Sequence, residues 1–142
     1  MKLSTKGRYG VRALLDVALH QDESPVQLKD IAERQQISLS YLEHLIAPLV
    51  AAGLLKSARG ARGGVSLAKS ARDIRLLDVV QALEGSLAPV QCVDKPEKCS
   101  RAESCVTRDV WAEVKDAVES VLGSVTLADL VERQGEKLHR EV

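Results

Sequence analysis

Apolar residues recur at three- and four-residue intervals along most of the chain, the spacing of helices with one buried face. Val11, Leu14, Leu15 and Ala18 form such a stripe and predict a first helix ending near His20, with Ser4 or Thr5 as its cap. QDESP interrupts the pattern, and LKDIAERQ resumes it with Leu28, Ile31 and Ala32 on one side. After the tight break QISLS, a third helix is expected from Leu39 to Ala52, facing inward with Leu39, Leu42, Leu45, Ile46 and Leu49. Gly53 stands where a glycine in left-handed conformation closes a helix, and Pro48 inside the pattern predicts a bend or an irregular last turn.

The period then changes. LLKSAR and VSLA read as two short strands flanking GARGG, whose glycines suit a hairpin loop. LLDVVQALEG returns to helix, and SLAPVQ is expected to lead extended into a loop holding every cysteine. From about Ser104 to Leu122 a long helix carries a seam of Val106, Val110, Val114, Val118, Val121 and Leu122, with Trp111 beside it. TLADLVERQ predicts a short last helix capped by its threonine, and EKLHREV a frayed end. The apolar surface of the long helix suits either a dimer seam or ordinary core packing, and spacing alone does not separate the two.

At 142 residues with 45% apolar content the chain can bury a real core, but it has no Phe, one Trp and two Tyr. Such a core is meshed from aliphatic side chains, which favours packed helices. MKLSTKGRYG lacks the apolar stretch of a secretion signal, and no apolar run approaches a membrane span, so a cytoplasmic protein with no membrane contact is expected. The net charge of zero conceals an asymmetry: residues 1–75 hold 12 Lys and Arg against 7 Asp and Glu, whereas residues 76–142 hold 8 against 13. A basic front half favours a polyanionic partner for that half.

Two short helices joined by a tight turn and followed by a basic, glycine-rich hairpin make a winged helix-turn-helix, with Arg59 and Arg62 at the wing tip. Arginines there suit phosphates or a narrow minor groove of double-stranded DNA. No histidine–nucleophile pair, phosphate-cradling glycine loop or paired catalytic carboxylates is present, so an enzyme is not expected. A small iron–sulfur electron carrier would have no use for the basic wing.

MKLSTKGRYGVRALLDVAL, ISLSYLEHLIAPLVAAGLLKSARGARGGVSLA, LLDVVQALEG and the three cysteines together resemble the IscR/NsrR/CymR regulators over nearly the whole chain, most specifically in the block from YLE to ARGGV. The resemblance is strongest to the IscR-like branch. It implies a mainly α, dimeric winged helix-turn-helix repressor or activator, many of whose members sense through an iron–sulfur cluster. It divides the chain into a DNA-binding region over 1–85, a cysteine-containing sensor loop over 86–104, and a dimerisation helix with a C-terminal helix over 105–142. It also implies base-reading positions at Ser40, Glu43 and Arg59. Arg59 can donate twice to guanine, and Glu43 can accept from the cytosine amino group. Ser40 and Glu43 also have capping-box spacing, unless Ser38 is the cap and leaves Ser40 free. Ser38, Tyr41 and Arg62 join them as phosphate or helix-holding positions, and Gly60 completes the candidate DNA-contact set.

Cys92, Cys99 and Cys105 fall in CVDKPEKCSRAESC, spaced C-x6-C-x5-C. Zinc sites use tighter pairs, and an odd trio in a reducing compartment argues against disulfides, so an iron–sulfur cluster suits the loop better, two irons favoured over four. The fourth ligand is open. IscR-like members place a histidine where this chain has Arg108, and some NsrR-like relatives use an acidic residue where it has Arg8; neither arginine has a lone pair to give. Asp109, one turn beyond Cys105, is the leading carboxylate candidate, with Asp94, Glu97, Glu103 or an external ligand as alternatives. A cluster-free regulator sensing thiol oxidation or a partner enzyme remains the rival reading.

Overall fold

A computed structural model describes residues 3–22, 24–61 and 63–140. Helix α1 (Thr5–His20) starts at Ser4, whose hydroxyl accepts from the Gly7 amide. A second cap arrives from far along the chain: Glu84 Oε1 accepts from the amides of Gly7 at 2.9 Å and Ser4 at 3.2 Å, placing negative charge at the helix's positive end. α1 is covered on several sides. Its buried positions are Gly7, Gly10, Ala13, Leu14, Asp16 and Val17, whereas Val11, Leu15 and Ala18 of the expected stripe are half-buried.

Helices α2 (Leu28–Gln35) and α3 (Leu39–Ala51) pack against α1. The break between them turns on Gln36 in left-handed conformation at φ 56°, with the Ile37 amide donating to Ala32. α3 runs on through Pro48. Gly53, at φ 75°, ends it as expected, its amide donating to Val50 and that of Leu54 to Leu49. Strands β1 (Leu55–Ala58) and β2 (Gly64–Leu67) pair antiparallel, Leu55 opposite Leu67 and Ala58 opposite Gly64. The hairpin is stitched to the body by reciprocal 2.8 Å backbone bonds between Val26 and Val65. Gly64, at φ 141°, permits that approach; a Cβ there would collide with the Val26 carbonyl.

Helix α4 (Leu76–Glu84) lies along α1 so closely that a Cβ on Gly10 would strike Leu83. After Gly85 the chain is irregular, with Val90 extended, before it enters the cysteine segment. Leu87 is buried, Gln91–Asp94 forms a one-turn helix (α5), and Pro96–Lys98 forms a 3-10 turn. Helix α6 (Val106–Gly123) follows, and α7 (Leu127–Arg140) returns across α1. α7 opens on a reciprocal cap between Thr126 and Asp129 and stays helical through EKLHR, where fraying was expected; the last two residues lie outside the described ones. The main core centres on Leu14, Val17, Ile31, Leu42, Leu45 and Leu49, and a second cluster joins Leu77, Val80 and Leu87 of the α4 side to Val118 and Leu122 of α6.

Candidate DNA interface and cysteine segment

Ser38 rather than Ser40 caps α3: its Oγ accepts from the Tyr41 amide at 3.1 Å. Ser40 and Glu43 therefore stand exposed on the helix, released from capping duty. Glu43 and, across from it, the wing residues Arg59 and Gly60 line one groove of about 810 Å3, together with Lys29, Ile46 and Val50. Three residues of the candidate contact set thus meet between helix and hairpin. Ser38, Ser40 and Tyr41 cluster instead at the N-terminal end of α3, and Arg62 lies outside the described residues.

The helix-turn-helix is braced by a network that the sequence reading missed. Asp16 is 2% exposed, and Arg34 grips its carboxyl group with three bonds of 2.7–3.2 Å. The Gln35 amide gives Asp16 a fourth at 2.9 Å, and the bonds of Arg34 to Asp16 hold the guanidinium above its ordinary pKa. The signal was present: Ala13, Asp16, Val17 and His20 share a helical face, so an aspartate occupies a core position. A carboxylate there requires a cation or hydrogen-bond partner within reach.

The cysteine segment is tethered to α6. Arg108 donates from Nε to the Cys92 carbonyl at 2.9 Å and from Nη2 to the Val93 carbonyl at 3.3 Å. Lys115 meets Asp94 at 2.9 Å, and the Ser86 hydroxyl donates to the same carboxylate. Ser86 first and Lys115 second hold Asp94 below the usual carboxylate range. Asp94 is therefore occupied, and Arg108, standing where a histidine ligand was anticipated, serves the backbone of the loop instead.

Cys105 is the residue before α6, within 3.1 Å of the Thr107 hydroxyl. That hydroxyl, then the Arg108 amide, lower its thiol pKa, opposed first by desolvation and then by the negative charge of Asp109 one turn on. Cys92, Cys99 and Cys105 are all half-buried free thiols. Among the described residues no three Cys, His, Asp or Glu side chains gather closely enough to hold a metal ion. The donor set fits a cluster by its chemistry, with three soft sulfur ligands on one short segment, while the segment as folded leaves them apart.

α6 contains no buried residue: Val106 is 75% exposed, Val121 63%, and Val110 and Trp111 about half. Among the described residues no helix is long and apolar enough to cross a membrane.

A helix-turn-helix followed by a basic hairpin, with an anchored cysteine segment behind it, defines a winged-helix DNA-binding regulator. The signature of the Rrf2 family, described as an iron-dependent transcriptional regulator, matches residues 3–133, and the chain belongs to this family. It is 50% identical over 131 residues to the protein rrf2 of Nitratidesulfovibrio vulgaris, covering 92% of this chain and 87% of the relative. It is 45% identical over 134 residues to the transcriptional regulator IscR of Xenorhabdus nematophila, covering 94% and 81%. Among solved structures, T. potens IscR superposes with a TM-score of 0.79 at 48% identity, covering 96% of this chain and 90% of that one. CymR, the global cysteine regulator of B. subtilis, superposes at 0.77 with 40% identity, covering 94% and 98%. The protein is a transcriptional regulator that binds DNA, and not an enzyme.

Proposed function

We propose that this regulator works in the cytoplasm as a homodimer on pseudo-palindromic promoter DNA, and that the state of its cysteine segment sets the strength of its grip. Residues 1–85 form the reading head, 86–104 the sensor, and 105–142 the dimer scaffold. Glu43 and Arg59 read bases, Ser40 assists, and Ser38, Tyr41, Gly60 and Arg62 hold phosphates or position the helix. The observation that carries the reading is the meeting of Glu43 with Arg59 and Gly60 across one groove. The unburied valines of α6 support a second copy as its covering, because an apolar helical stripe exposed to water is costly.

Cys92, Cys99 and Cys105 would hold the iron–sulfur cluster, two irons favoured over four, with Asp109 as an oxygen donor. When bound, such a group supplies an anionic, oxygen-sensitive centre to the loop. The chain's own contribution is a tether: Arg108 and Lys115 tie the segment to α6, so a change in the segment reaches the dimer scaffold directly. Only a difference in stability between two arrangements shifts DNA affinity; a group favouring both equally shifts nothing. Genes of iron–sulfur assembly or related stress are the targets this reading favours. A second reading, thiol sensing without a cluster, is favoured by one observation, the Cys105 sulfur 3.1 Å from the Thr107 hydroxyl, a contact that lowers its thiol pKa.

The test is protein purified without oxygen, its visible spectrum recorded with iron and sulfide counted per chain. Coloured, iron-containing protein supports the cluster. Protein that stays colourless and iron-free after reconstitution, yet binds DNA, supports thiol sensing.

A further inference from the structure

A continuous chain of contacts runs from the buried Asp16 to the start of the recognition helix. Tyr9 and Tyr41 also pack against the core, but that packing does not call for the polar links to Arg12 and Gln35. The Gln35 amide is used at both ends: its nitrogen donates to Asp16 at 2.9 Å, and its oxygen accepts from Arg12 Nε at 3.0 Å. That arrangement leaves the amide one orientation. Arg12 lies in turn over the Tyr9 ring, its guanidinium carbon 5.1 Å from the centroid. The Tyr9 ring meets Tyr41 edge to face, centroids 6.3 Å apart and planes at 86°. Tyr41 is in the first turn of α3, its amide bonded to the Ser38 cap, immediately after Ser40 and two residues before Glu43.

We infer that Arg12, Gln35 and Tyr9 are positioning residues for DNA specificity: a polar–aromatic strut, anchored on buried Asp16, that sets where the first turn of α3 presents Ser40 and Glu43. This rests on the reading of α3 as the recognition helix. Each link has directional geometry. The amide must face both ways, the cation must sit over the ring face, and the positive ring edge must meet the negative face of its partner. Plain apolar contact would define position loosely; this sequence of contacts defines an angle. Removing any one link loosens the angle of the first turn of α3, which the Ser38 cap still closes, while α1, α2 and the aliphatic core persist. Its signature is therefore a loss of discrimination between DNA sequences rather than a loss of folding. Arg12 is exposed, and a simple phosphate contact would be its plainer role; that role predicts a different signature.

The experiment uses a duplex enriched by the full-length wild-type protein from a random-sequence pool, and a shuffled duplex of the same composition. Arg12→Met, Gln35→Met and Tyr9→Leu are each expected to lower the preference for the enriched duplex about fivefold, the scale of one cation–π or aromatic pair. Tyr9→Phe keeps the ring and should keep the preference. Tyr9→Leu removes no charge, so its salt dependence on the shuffled duplex should be unchanged. Combining Arg12→Met with Tyr9→Leu should cost no more than either alone, since both cut one strut. Full preference in Gln35→Met, or additive losses in the double variant, overturns the inference. Arg12→Met weakening both duplexes equally overturns it too, in favour of a phosphate contact. Should Tyr9→Leu not fold, Gln35→Met cuts the strut at a half-buried link outside the core and decides alone. If the wild type enriches no duplex, the DNA-reading assignment has failed; the strut is then read by hydrogen exchange, where Gln35→Met must lower protection in the first turn of α3, and unchanged protection overturns it.

Discussion

Consider removing each side of the Asp16–Arg34 pair in turn. The two partners are unequally buried: the carboxylate is 1% exposed and the guanidinium 35%. In Asp16→Asn, Arg34 loses its charged fork but can turn into water, so the cost is that of charge-assisted hydrogen bonds, about 2 kcal/mol. In Arg34→Met the carboxylate stays in the core with the Gln35 amide and, at 3.5 Å, His20 as its remaining partners. A stranded buried charge costs more, about 3–4 kcal/mol. With an unfolding entropy of about 2.1 cal/mol/K per residue, each kcal/mol moves the melting temperature of a chain this size by about 3 °C. Asp16→Asn should therefore melt about 6 °C below the wild type and Arg34→Met about 10 °C below. The double replacement Asp16→Leu with Arg34→Met should recover part of the loss, because no charge is left behind. Thermal and urea unfolding by far-UV circular dichroism measures this, at one protein concentration throughout because self-association would shift the midpoint. Arg34→Met proving as mild as Asp16→Asn, or milder, would refute the reasoning.

Other consequences concern single residues. Gln36→Gly should stabilise the protein by about 0.5–1 kcal/mol, since glycine adopts the left-handed turn without the steric cost a side chain incurs; an unchanged or lower urea midpoint contradicts this. Thr107→Val removes the main cause of the lowered Cys105 pKa, so the thiolate fraction near neutral pH should fall and alkylation of Cys105 by iodoacetamide should slow; an equal rate removes Thr107 from the account. The Asp94 tether has a signed pH dependence. Its folded pKa lies below the ordinary 3.8, so its contribution is full above that value and is lost as pH falls through the lowered one. Proteolysis between 86 and 99 should accelerate only on that acid side in the wild type, and at every pH in Lys115→Met.

Much of the scaffold was legible because its signals are local and agree with one another. The α3 stripe, its closing glycine and the glycine-rich hairpin each predict their element from a few neighbouring residues, and the structure differs there by a residue or so. Leu39 of that stripe is exposed rather than facing inward. Legibility ended where partners are distant in sequence. Spacing could not choose between Ser38 and Ser40 as the α3 cap, since both lie within reach of a helix start. Nothing local announced that Glu84 would cap α1, or that Arg108 would hold the carbonyls of Cys92 and Val93. The latter bonds accompany short helical turns in the cysteine segment, which was expected as a plain loop. The tail EKLHR, polar enough to suggest fraying, continues α7 instead, with Lys137, His139 and Arg140 in its last turn, where cations suit the helix's negative end.

The measurement that bears most directly on coupling between the cysteine segment and the reading head is affinity for the pool-enriched duplex, compared between wild type and a variant with Cys92, Cys99 and Cys105 all changed to Ala. Both are assayed without oxygen, before and after supply of iron and sulfide. The wild type should change its affinity on reconstitution while the triple variant stays constant. Identical affinities for both proteins in every condition would contradict the account.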